Sequence, residues 1–110
     1  METYLITGGA GFVGGHLAEY LLEKGHAVHC VGSLATGSLD SFGHLLSRPR
    51  FRFVEGRPDD REVLEDAGRG CCGIFHVAAN PVAESEMNRP VTSAVLRFAA
   101  EHSMPILVAS

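Results

Sequence analysis

The chain has 110 residues, a net charge of -4, and 45% hydrophobic against 20% charged residues. That balance is globular and excludes disorder, a collagen-like repeat and a disulfide scaffold. The acidic charge disfavours a nucleic-acid partner, because nucleic-acid modules are basic. The length fits one domain, residues 1–110, with one modest core and no room for separate cofactor and substrate domains.

The first predicted element is a strand, Tyr4-Leu5-Ile6-Thr7, which stops at glycine. A helix follows from about Gly11 to Lys24, where Val13, Leu17, Tyr20 and Leu21 recur at helical spacing. That spacing places Tyr20 on the apolar face, in the core. Gly25 is the stop signal. Ala27-Val28-His29-Cys30-Val31 is the second strand. Residues 32–37 read as a loop, with a short helix over 38–47.

Phe51-Arg52-Phe53-Val54 is a half-polar third strand suited to a sheet edge. The arginines around it (Arg48, Arg50, Arg52, Arg57, Arg61), interleaved with Glu55, Asp59 and Asp60, read as a solvated edge whose charges deter strand pairing. A short helix is predicted from Asp59 to Ala67, capped by Asp59 or Asp60. Gly73 to Ala79 is the fourth strand, with His76 a structural histidine at its buried end. Residues 80–90 form a loop, residues 91–102 a helix, and Pro105 to Ala109 the fifth strand. Strands alternating with helices imply βαβ units. The expected fold is α/β: a Rossmann-like three-layer fold with a parallel sheet of about five strands in the order 3-2-1-4-5.

Cysteines and targeting signals add further bounds. Cys30, Cys71 and Cys72 show neither C-x-x-C nor zinc spacing, so no metal site is expected. Cys30 reads as core, and an odd count without a framework suits a reducing compartment. No run reaches the roughly 18 apolar residues of a membrane span. Glu2 stands where a signal peptide would be basic. The expected location is cytoplasmic, with no membrane partner.

The run that carries chemistry is Thr7-Gly8-Gly9-Ala10-Gly11-Phe12-Val13-Gly14, since five of the 13 glycines fall between positions 8 and 15. Gly8 permits a tight turn off the strand. Gly11 lets backbone N–H groups approach a pyrophosphate, and Gly14 lets the helix pack closely on the sheet. The helix N-terminus adds unpaired N–H groups and a positive dipole end.

This run, extended through Gly15-His16-Leu17, resembles the start of the extended short-chain dehydrogenases/reductases, and within them the NAD-dependent epimerase/dehydratase branch that acts on nucleotide sugars. Lys24-Gly25-His26, Leu34-Ala35-Thr36-Gly37, Phe53-Val54-Glu55-Gly56, His76-Val77-Ala78-Ala79 and Val82-Ala83-Glu84-Ser85 continue the likeness in order. It covers essentially the whole chain but only the N-terminal part of a family member. It implies NAD, or NADP, as cofactor. Gly8, Gly11, Phe12 and Val13 would meet the pyrophosphate, and Gly14 would allow close packing. Gly32 and Ser33 would lie by the adenosine ribose. Ala78 and Ala79 would line the cofactor, or simply be small residues of a sheet core. Ser85 would lie toward nicotinamide or substrate, or be an ordinary polar loop residue.

Three departures from the family pattern bear on function. Gly32 stands where a carboxylate usually accepts hydrogen bonds from the ribose hydroxyls. Gly56-Arg57-Pro58 replaces a Gly-Asp pair whose Asp holds the adenine amino group. No arginine occurs between Val31 and Ser47 to meet a 2′-phosphate, which leaves Arg57 or, alternatively, weakened dinucleotide binding. Second, the segment after Asn88-Arg89-Pro90 is shortened by about three helical turns, so the helix there should be short or re-routed. Third, the Tyr-x-x-x-Lys of the family's chemistry is missing. Lys24 is the single lysine, and Tyr20-Lys24 has the spacing but reads as core packing on the first helix.

Three readings follow. The chain is the cofactor-binding portion of such an enzyme, inactive alone. Or it is a non-enzymatic module that binds a nucleotide weakly, or that self-associates or recruits a partner chain through its fifth strand. Or it is a truncated product without a function of its own.

Overall fold

The structure is a computed structural model, and it describes residues 2–7, 12–32, 43–77 and 89–109. Among the described residues five strands and three helices alternate: β1 (Thr3–Thr7), α1 (Phe12–Glu23), β2 (Ala27–Gly32), a 3-10 turn (Gly43–Leu45), β3 (Phe51–Glu55), α2 (Arg61–Gly68), β4 (Gly73–Val77), α3 (Arg89–Glu101) and β5 (Ile106–Ala109). All pairs are parallel, in the expected order β3-β2-β1-β4-β5.

Side-chain alternation divides the core between the two faces of the sheet. Ile6, Val28, Cys30 and Val77 pack with Ala18, Leu21 and Leu22 of α1 and with Leu45. Leu5, Val31 and Ile74 pack on the other face with Leu64 and Ala67 of α2 and with Val95, Phe98 and Ala99 of α3. The result is three layers, helix on sheet on helix. Gly68 is where α2 and α3 come closest: a Cβ there would lie 2.8 Å from Cζ of Phe98.

Tyr20 departs from the sequence expectation. It is 58% exposed, and Lys24 Nζ lies 5.5 Å from its ring centroid. The buried stripe of α1 is instead Gly14, Gly15, Ala18, Leu21 and Leu22. Small residues form the contact face because they bring the helix axis close to the sheet. Apolar size alone therefore misplaced Tyr20, whereas Leu21 is buried and Leu17 packs partly buried against the core. α3 has 13 residues, close to the helix expected over residues 91–102.

Helix ends follow from local chemistry. Gly25, at φ +89°, ends α1; His26 N–H donates to the Leu21 carbonyl and Gly25 N–H to that of Leu22. That pair of bonds is a Schellman cap. The end of α3 repeats it without glycine. Met104 N–H donates to Ala99 and Ser103 N–H to Ala100, with Ser103 held at φ 51°. A side chain in that left-handed conformation is strained. Ser103→Gly is therefore expected to stabilise the fold by about 0.5–1 kcal/mol and to raise the melting temperature by a few degrees. A lowered melting temperature in a thermal scan would contradict this cap.

Candidate functional site

The sheet changes direction at β1. From β1 the chain crosses through α1 to β2 on one side, while β4 lies on the other side and leads through α3 to β5. Such a switch point leaves a crevice beyond the carboxyl ends of the two strands, where ligands of open α/β sheets bind. Its floor is polar and closed. Thr7 is fully buried and His76 is 4% exposed. They are register partners across β1 and β4, and Thr7 Oγ1 and His76 Nδ1 share a hydrogen bond of 2.6 Å. His76 thus joins the strand ends, as expected of a structural histidine.

α1 opens over this floor at Phe12, five residues after β1 ends, with no acidic residue in its first turn. The first N–H groups of a helix have no intrahelical acceptor. Here no carboxylate of the first turn offsets the positive end of the dipole, so the donor set suits an anion. Phe12, Val13 and Gly14 are its first three residues. Gly14 is buried, and so is Gly32 at the end of β2. These features fit the pyrophosphate of a dinucleotide. Gly8, Gly11, Ser33, Ala78, Ala79 and Ser85 lie outside the described residues.

β2 and β3 build one side of the crevice. Gly56 N–H donates to the Gly32 carbonyl at 3.0 Å, which extends the ladder beyond β3. A turn follows at once: Asp60 N–H donates to the Arg57 carbonyl at 3.0 Å, with Pro58 in the position where its fixed φ favours a turn. The turn brings Arg57 and Asp59 together. Arg57 donates from Nε to Asp59 Oδ1 and from Nη2 to Oδ2, both at 2.9 Å. The guanidinium holds the Asp59 carboxyl below its usual range, and the carboxylate raises the Arg57 pKa. Asp60 then caps α2, accepting from Glu62 N–H at 3.0 Å. Arg57, the candidate for a 2′-phosphate, is thus already engaged by a carboxylate.

A profile of the NAD dependent epimerase/dehydratase family matches residues 4–103. The chain belongs to that family. It is 37% identical over 92 residues to the low-salt glycan biosynthesis protein Agl12 of Haloferax volcanii, covering 82% of this chain and 28% of Agl12. It is 36% identical over 80 residues to UDP-glucuronic acid decarboxylase 1 of Arabidopsis thaliana, covering 71% of this chain and 17% of that enzyme. A dTDP-glucose 4,6-dehydratase of Bacillus anthracis, solved in complex with NAD, superposes with a TM-score of 0.87 at 23% identity, covering 100% of this chain and 37% of the dehydratase. WbmG of Bordetella bronchiseptica, solved with NAD and UDP, superposes with a TM-score of 0.76 at 27% identity, covering 96% of this chain and 36% of WbmG. The chain therefore spans less than two fifths of the length of these relatives.

Among the described residues, no family-type proton-transfer pair lies at the crevice. Tyr20 and Lys24 sit in the last turns of α1, at the opposite end of the sheet, and Tyr20 is exposed. Their spacing is that of a solvent-facing ring and cation. No helix among the described residues is long and apolar enough to cross a membrane, and none of their His, Cys, Asp and Glu side chains cluster as a metal site.

Sequence reasoning missed a second polar cluster at the amino ends of the strands. Cys72 Sγ donates to Glu2 Oε2 at 3.0 Å, and the Tyr4 hydroxyl lies 3.4 Å from the same oxygen. Burial and this bond raise the Cys72 pKa, as burial raises Cys71 to about 11 and Cys30 to about 12. A thiol above its normal pKa holds little thiolate at neutral pH. At pH 7 a disulfide reagent is therefore expected to modify only exposed Cys72, more slowly than free cysteine, with Cys30 and Cys71 reacting after denaturation. Fast modification of two thiols in the native protein would contradict these environments.

Proposed function

We propose that residues 1–110 form a single dinucleotide-binding unit that takes NAD across the β1–β4 switch point. The unit serves as the cofactor-binding part of a nucleotide-sugar epimerase or dehydratase. The observation that carries the reading is the first turn of α1, which opens over the Thr7–His76 floor and holds no acidic residue. Family membership supports it, as do the NAD complexes of structural neighbours. NAD held by these residues would supply hydride transfer from a sugar and back to it.

The residues of this chain hold and orient the cofactor. Gly8, Gly11, Phe12 and Val13 present backbone N–H groups to the pyrophosphate, and Gly14 lets α1 approach the sheet. Gly32 and Ser33 border the adenosine ribose. The family pattern would assign Ala78 and Ala79 to the cofactor beyond β4 and Ser85 to the nicotinamide or substrate. With its one Tyr-x-x-x-Lys pair, Tyr20 and Lys24, away from the crevice, the chain moves no proton and does not turn over sugar nucleotide alone. Titration followed by nicotinamide fluorescence tests this; with no tryptophan in the chain, the signal is clean. Micromolar NADH binding is expected, and Gly11→Val should abolish it by filling the approach to the pyrophosphate. No binding up to millimolar NADH would refute the reading.

A second reading rests on β5. This edge strand is uncharged, and Leu107 and Val108 are 59% and 47% exposed. The opposite edge is guarded: Arg52 of β3 pairs with Asp66 at 2.9 Å. Beside β5 lies an open cavity of about 370 Å³ walled by Tyr4, Phe75, Pro105 and Leu107. A bare parallel edge pairs readily with its own copy across a two-fold axis. Sedimentation should show a dimer that Leu107→Lys converts to monomer, whereas a monomer at high protein concentration would exclude self-pairing.

A further inference from the structure

We infer that Asp59 sets the preference of this site for NAD over its 2′-phosphorylated form by neutralising Arg57. The inference rests on the dinucleotide reading above. In that reading the adenosine ribose lies beyond the carboxyl end of β2, which is Gly32. The Gly56–Gly32 hydrogen bond brings the end of β3 to the same place, and Arg57 is the next residue.

The other arginines of this region lie or point elsewhere. Arg48 and Arg50 precede β3, at the amino end of the sheet, and Arg50 donates to the Gly25 carbonyl; Arg52 pairs with Asp66, and Arg61 pairs with Glu65 and Glu101. A 2′-phosphate at Gly32 would therefore depend on Arg57 for its countercharge.

Asp59 takes that countercharge. Two parallel bonds at 2.9 Å occupy one edge of the guanidinium, the fork geometry that phosphate would itself use. The pair is held by the turn through Pro58 rather than by chance contact of long side chains. Asp59 is also the less exposed partner, at 27% against 75% for Arg57. In addition, Gly32 is the register partner of Glu55. An incoming 2′-phosphate would meet a neutral pair and a neighbouring carboxylate, whereas free ribose hydroxyls need no cation.

The test compares NADH and NADPH binding by fluorescence for the wild type, Asp59→Asn and the double variant Arg57→Ala/Asp59→Asn. Asparagine keeps the shape of the turn and removes the charge. Wild type is expected to bind NADH more tightly than NADPH. D59N should strengthen NADPH binding about five- to tenfold and leave NADH within about twofold, and the double variant should lose the gain. A wild type that prefers NADPH, or a D59N variant with an unchanged ratio, would overturn the role of Asp59 while leaving dinucleotide binding in place. Failure of the wild type to bind either nucleotide would overturn both.

Discussion

Everything in this fold hangs on the parallel pairing of β1 along both of its edges. Thr3 to Thr7 are matched to Ala27–Val31 on one side, and Tyr4 to Thr7 are matched to Gly73–His76 on the other. A strand paired twice and buried on both faces must be short and apolar, and it must leave the sheet sharply. Its last residue, Thr7, is fully buried and bonded to His76. The chain can then only turn back over the sheet. Gly14, Gly15 and Ala18 let α1 lie close enough for its N-terminus to overhang the crevice. The position of the anion-binding end is thus a consequence of core packing.

The two halves of the crevice differ in how they carry charge. In the proposed function the pyrophosphate would meet backbone dipoles, which need no charged side chain. The adenosine would meet side chains. There Gly32 ends β2 without a side chain, and a closed Arg57–Asp59 pair follows β3. An exposed ion pair of this kind adds little stability. Its effect falls on which charge a ligand meets at that edge.

The alternation of apolar strands and helices made the sheet order legible, because right-handed crossovers leave few arrangements. The glycine run reads as an anion-binding turn on its spacing after a strand; of that run the structure describes Thr7 and the residues from Phe12 onward. What the sequence hid depends on local geometry. The buried face of α1 is lined by glycine and alanine, which hydrophobic periodicity does not count, so Tyr20 was placed inside and is outside. The Arg57–Asp59 clamp exists because Pro58 shapes a turn between two residues that each read as surface charge. The cap at Ser103 lacks its usual glycine, and the Glu2–Cys72 contact joins residues 70 positions apart. None of these leaves a periodic trace.

The central claim is that NAD lies at the first turn of α1 beyond β1 and β4. Backbone amide chemical shifts of the labelled protein, recorded while NAD is added, test it residue by residue. The account predicts saturable shifts at Phe12, Val13 and Gly14 and at Gly32, with the amides of Cys72 and Ala27 at the amino ends of the strands unmoved. Shifts confined to the Cys72 and Ala27 end, or no saturable shift at all, would contradict it.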